Sequence, residues 1–241
     1  TLFRSWRNPQ LKILIVSANE NGAAANANLI KAIIFDKAGD DLWAELRPRR
    51  DQRSSTLEFD VGPAIPDKQA SVKCLGVYGG LAGNRADILI PDDVENQRNS
   101  LTEDQRDKLR RAVGEFTNII KPEPHTQIIY LGTPQTEESI YAGLPAQGFV
   151  VRVWPARYPL ASKIADYGDS LAPMLLRAIE ANPSLCNPTG LSTLGGAPTD
   201  PGRFTDEALL SNELKQGASG FLLQMMLDTS LSDAERYPLK T

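Results

Sequence analysis

Residues 87–97 read DILIPDDVENQ: Ile88, Leu89 and Ile90 run straight into Asp92 and Asp93, and Glu95 follows two positions later. A short apolar run of this kind reads as a strand buried on both faces, as in a parallel sheet. Open parallel sheets bind ligands beyond the carboxyl ends of their strands. An acid there can hold Mg²⁺ on nucleotide phosphates, and a second acid beside it can orient an attacking water. The plainer alternative is a strand that ends in a polar turn, since Pro91 and aspartate are both turn residues. Glu95 weighs against it, because three neighbouring carboxylates repel one another unless a cation is expected.

Outward from this stretch, strands and helices alternate. LKILIVSAN (11–19) reads as a buried strand, and ENGAAANANLIKAIIF (20–35) as a helix with an apolar stripe of Leu29, Ile30, Ile33 and Ile34. STLEFDVG (55–62) and SVKCLGVYGG (71–80) read as strands, the second closed by a double glycine. Residues 102–120 form a helix capped by Thr102, with acids in its first turn and Leu109, Val113, Phe116 and Ile120 along one face. TQIIYLGTP (126–134) reads as a further buried strand, and GFVVRVWPA (148–156) as one more. The alternation predicts an α/β fold with a mostly parallel sheet. After Pro159 the texture changes to helix, then a loop dense in Gly, Pro, Ser and Thr, then a helix interrupted by glycine. A boundary is expected near residues 160–200.

The bulk numbers set limits. The chain has 241 residues and a formal net charge of −4, which argues mildly against a uniformly basic coat and leaves room for a local basic face such as RPRR (47–50). Two cysteines, Cys74 and Cys186, and the lone His125 argue against a disulfide scaffold or a zinc site and for a reducing, cytosolic setting. His125 reads as a loop histidine, and Trp43 and Trp154 as packing residues. No apolar run approaches the roughly 20 residues that span a bilayer.

Seven stretches together carry a resemblance: QLKILIVSA (10–18), RPRRDQRSSTLEFDVGPAIPD (47–67), GNRADILIPDDVENQRNS (83–100), IIYLGTPQTEESIY (128–141), VWPARYP (153–159), APTDPGRF (197–204) and LSDAERYPL (231–239). They resemble, in order and over essentially the whole chain, the large terminase subunit (DNA maturase B) of short-tailed, podovirus-like tailed phages. The resemblance implies a phage-encoded DNA-packaging motor. Its ATPase domain is a P-loop NTPase of the additional-strand (ASCE) class, and an RNase H-like nuclease domain follows. ATP and Mg²⁺ are the implied cofactors. Double-stranded DNA, the portal protein and the small terminase subunit are the implied partners, in a homo-oligomeric ring without a membrane. The implied location is the host cytoplasm, transiently at the procapsid portal vertex.

By matching, Asp92 falls at the metal-holding acid of Walker B. Asp93 falls where many relatives have the catalytic glutamate, and Glu95 is the competing candidate. Thr133 and Gln135, in LGTPQTE (131–137), fall at the motif that couples hydrolysis to movement. Arg98, like Arg85, is a candidate arginine finger toward bound nucleotide, and Ser17 sits where translocating ATPases touch phosphate or DNA. The chain has no G-x-x-x-x-G-K-[ST], and the segment that relatives continue into the nuclease is not within it. It is therefore expected to be part of a longer ATPase, with the phosphate loop about 15 residues upstream at 1.5 Å rise per residue. Residues 1–160 are expected to form the ATPase core and 161–241 a lid or linker. The segment alone is expected to be inactive. Another P-loop nucleic-acid motor, helicase-like, and a non-catalytic binding or assembly module are the alternatives.

Overall fold

Ile13–Ser17 (β1) is buried at every position, which is why its sequence shows no polar alternation. The computed structural model describes residues 1–36, 43–136 and 138–229; the LSDAERYPL stretch lies outside the described residues. The fold divides into two compact units, Thr1–Gly132 and Thr133–Thr241.

The first unit opens with a short helix, Leu2–Arg7 (α1), and holds a five-stranded sheet. Besides β1 the strands are Glu58–Phe59 (β2), Val72–Gly76 (β3), Ile88–Pro91 (β4) and Gln127–Ile128 (β5), in spatial order β2-β3-β1-β4-β5. All neighbours are parallel except β2, which runs antiparallel to β3. In register, Ile15 pairs with Cys74 on one side and with Ile90 on the other. The expected mostly parallel α/β sheet is formed.

Helix Glu20–Phe35 (α2) starts at Asn19, whose side chain accepts the Gly22 N–H, the usual N-cap arrangement. Ala23, Ala27 and Ile34 are buried, and Ile30 packs on the same core. The predicted stripe is corrected here. Leu29 is 60% and Ile33 42% exposed, because the small alanines, which let the helix lie close to the strands, form the inward face. Gly62 shows a similar close approach: a Cβ there would stand 2.6 Å from the Glu45 carbonyl oxygen and 2.7 Å from that of Arg47.

The helix expected at 102–120 forms as Glu103–Gly114 (α4) and Phe116–Ile119 (α5), preceded by the single turn Gln97–Ser100 (α3). Thr102 caps α4 in a reciprocal box with Gln105. Leu109, Phe116 and Ile119 are the buried residues, Ile119 taking the place expected of Ile120. Two expected strands shrink. The 55–62 strand reduces to Glu58–Phe59. The 126–134 strand is a short edge strand with Ile129 and Leu131 exposed, since β5 ends the sheet and only β4 pairs with it.

The second unit is helical and loop-built. Its α-helices among the described residues are Pro173–Ala181 (α6) and Asp206–Gln224 (α7), the latter kinked at Gly217 with φ 72°. The strand expected at 148–156 does not form: Val153 makes one isolated bridge to Leu171, and Val150 and Trp154 are exposed. Among the described residues of this unit no strand offers it a ladder, so β propensity alone does not hold it extended in a sheet. Arg157 is fully buried instead. It donates to Thr189 Oγ1 at 2.9 Å, the Gly196 carbonyl at 3.0 Å, the Asp206 carbonyl at 3.1 Å and the Asp206 carboxylate. One charged side chain thus joins α7's first turn to the loop before it.

Candidate functional site

Parallel pairing sends the ends of β1 and β4 to the same edge of the sheet. Val16 is in register with Pro91, and the Asp92 N–H donates to the Val16 carbonyl at 2.7 Å. Ser17 and Asp92 therefore emerge side by side. Asn26, in the second turn of α2, joins them: its Nδ2 lies 2.8 Å from Asp92 Oδ2 and 3.1 Å from Ser17 Oγ. A Cβ at Gly22, one turn earlier, would stand 3.2 Å from Ser17 Cβ, so the small residue lets α2 close on the strand end.

The three acids do not converge. Asp92 is half-buried, Asp93 is exposed and Glu95 is 2% exposed. Asp93 has a positive φ of 45°, in the left-handed region that few residue types other than glycine enter readily. Its N–H donates to the Leu131 carbonyl at 3.0 Å, which ties the turn to the continuation of β5. Beyond it Asn96 and Asn99 form a reciprocal cap on α3, and Asn99 Nδ2 donates to the Val94 carbonyl at 2.8 Å. This bonding directs Val94 and Glu95 inward. The trio expected at one mouth is thus one acid on the helix side, one toward solvent and one in the interior.

The remaining candidates are spread out. Arg98 is exposed, and its N–H donates to Asn96 Oδ1 at 2.9 Å. Arg85 precedes β4 and lies at the opposite, amino edge of the sheet from Asp92. Thr133 opens the second unit, where Gln135 Nε2 donates to its carbonyl at 3.2 Å. Gln224 Nε2 donates to the intervening Pro134 carbonyl at 2.8 Å. In RPRR, Arg47 turns back to the Ile34 carbonyl at 3.0 Å, while Arg49 and Arg50 are exposed.

Asn26 is the residue that sequence reasoning missed. Its signal was an asparagine set in an alanine-rich helical turn, where propensity disfavours it.

Two places bear on metal binding. Asp92 Oδ1 has no hydrogen-bond partner among the described residues. One ordered carboxylate oxygen at the carboxyl edge fits Mg²⁺, which keeps most of its waters and takes one or two protein carboxylates. The 241 residues contain no G-x-x-x-x-G-K-[ST] motif. The second place is Asp87, Glu123 and His125, whose ligand atoms approach one another within 4.8 Å. Asp87 is already engaged there: Oδ1 lies 2.7 Å from Lys121 Nζ, and Oδ2 accepts the Lys12 N–H at 2.7 Å. A metal on Asp87 would face the Lys121 ammonium, so this group is an ion-pair cluster. Among the described residues no helix is long and apolar enough to cross a membrane.

No family model matches the chain. The chain is 48% identical, over 98% of its length, to the protein named "Terminase, large subunit" of Enterobacteria phage T3, and it spans 39% of that relative's length. The resemblance read from the seven sequence stretches is borne out over nearly the whole chain.

Proposed function

We propose that the chain carries the metal-holding and water-orienting edge of an ATPase that drives double-stranded DNA into a phage procapsid, in a P-loop NTPase fold of the additional-strand class. The observation that carries this reading is the Asn26–Asp92 hydrogen bond at the carboxyl edge of the central strands. It orients one carboxylate where such sheets bind phosphate-bearing ligands. The similarity to a large terminase subunit supports DNA packaging over other nucleic-acid motors.

In this reading Asp92 would hold Mg²⁺ when it is bound, with Asn26 restraining the carboxylate. Bound Mg²⁺ neutralises charge developing on the phosphate oxygens. Asp93, exposed on its turn, is better placed than buried Glu95 to accept a hydrogen bond from the attacking water and orient it in line. Arg98 offers positive charge beside the same turn. The Asp93–Leu131 backbone bond supports a route from the site into LGTPQTE, where Thr133 and Gln135 respond to phosphate loss. The phosphate cradle, the portal, the small terminase subunit and a ring of copies complete the motor.

The test is DNA-stimulated ATP hydrolysis by the complete gene product with Asp92→Asn. A loss of turnover of about 10²-fold or more is expected for removing such a charge, with the melting curve unchanged. Full turnover in the variant overturns the assignment.

A further inference from the structure

At the amino edge of the sheet, opposite Asp92, the start of β1 and the loops before β3, β4 and β5 line an open cavity of about 470 Å³. It is of the size of small-ligand sites. Four cationic side chains line it, Lys12, Lys68, Arg85 and Lys121, against one carboxylate, Asp67. Lys12 forms the floor. Its side chain is 4% exposed, and its Nζ makes no hydrogen bond among the described residues.

The acids around the cavity meet that need only in part, through an ion pair with Asp67. Asp67 Oδ2 is 3.6 Å from Lys12 Nζ, and the side chain is half-exposed; its Oδ1 takes the Gln69 N–H at 3.1 Å. Asp87 is held by the Lys12 N–H and by Lys121, as described above. Glu123 pairs with His125 at 3.3 Å. A buried ammonium with three donors and no acceptor in hydrogen-bond range is costly, and Arg85 and Lys68 at the rim add repulsion. A compact oxyanion removes both costs.

We propose that this basic cavity binds a phosphate group, with Lys12 Nζ as the buried donor and Arg85 and Lys68 as rim contacts. The group is either a free phosphate anion or one phosphate of a nucleic-acid backbone. The site is separate from the carboxyl edge and does not depend on the ATPase reading.

The test compares thermal melting of the protein in inorganic phosphate and in chloride at equal ionic strength. A phosphate-specific rise in melting temperature is expected, since a ligand that binds only the native state stabilises it. The rise is expected to vanish in Lys12→Met. It should need at least about tenfold more phosphate in Arg85→Gln, an exposed position, given the strength of charge-assisted hydrogen bonds. No rise, or the same rise with Arg85→Gln, overturns the proposal whether or not the Lys12 variant folds. A duplex oligonucleotide titrated into the same proteins separates the sources. Competition between phosphate and DNA, with weaker DNA binding by Arg85→Gln, assigns a backbone phosphate. Phosphate binding with unchanged DNA affinity assigns a free anion.

Discussion

Asn26 Nδ2 lies 2.8 Å from Asp92 Oδ2, so a residue in the second turn of α2 sets the orientation of an acid 66 positions later in the chain. The same nitrogen reaches Ser17 Oγ, and one side chain thereby links a helix to the ends of two strands.

Replacing Asn26 by alanine should leave the fold intact, because alanine favours the helix and offsets the lost hydrogen bonds, each of about 1 kcal/mol. Asp92 then loses its restraint. Turnover of ATP by the complete gene product is expected to fall about tenfold, with a higher Mg²⁺ requirement. Steady-state kinetics over a Mg²⁺ titration check this; an unchanged profile would show that Asp92 needs no partner.

Arg157 gives the second unit its most demanding interaction. Arg157→Met leaves Asp206, Thr189 and the Gly196 carbonyl without their shared donor, and a loss of about 1–3 kcal/mol is expected in denaturant unfolding. The pair also sets a pH response. The Arg157 hydrogen bond, then that of Thr189, holds the Asp206 carboxyl below its ordinary value. Its stabilisation is therefore complete above the unfolded-state value of about 3.9. It is lost as pH falls from there through the lower folded value. Asp206→Asn should flatten that part of the acid-unfolding curve.

The two cysteines report on the two units separately. Burial pushes the Cys74 thiol up to about 12, with Lys31 opposing weakly, and burial also raises that of Cys186. At pH 8 alkylation of Cys74 in the native protein should be about 10³-fold slower than for an exposed thiol, since only the thiolate reacts. Peptide mapping after timed labelling in rising denaturant should show whether Cys74 and Cys186, one in each unit, become reactive together or in sequence.

The central strands and the capped α4 were legible because local chemistry and tertiary burial agree there. Ile13–Ser17 is apolar throughout and buried throughout, and Thr102 has its Gln105 partner three residues on. The inward face of α2 was not legible, because hydrophobicity favours Leu29 and Ile33 whereas close packing favours Ala23 and Ala27. GFVVRVWPA misled for a related reason: its β-branched residues suit a strand, but a strand needs a neighbour. At the site, Asp92 could be read from the end of an apolar run. Asn26 could not, since its role exists only once α2 folds back over β1. Nor could the divergence of Asp93 and Glu95, which depends on the Asn96–Asn99 cap and on one backbone dihedral angle, φ at Asp93.

That dihedral also governs which acid can occupy position 93. Aspartate is several-fold better tolerated than most side chains at a φ of 45°, whereas glutamate has no short local hydrogen bond to offset the crowding. A glutamate at position 93 would therefore press against this bend of the main chain as it leaves the sheet. Exchanging the acid alone is a graft onto the wrong bend, and any defect it causes reports geometry before it reports chemistry.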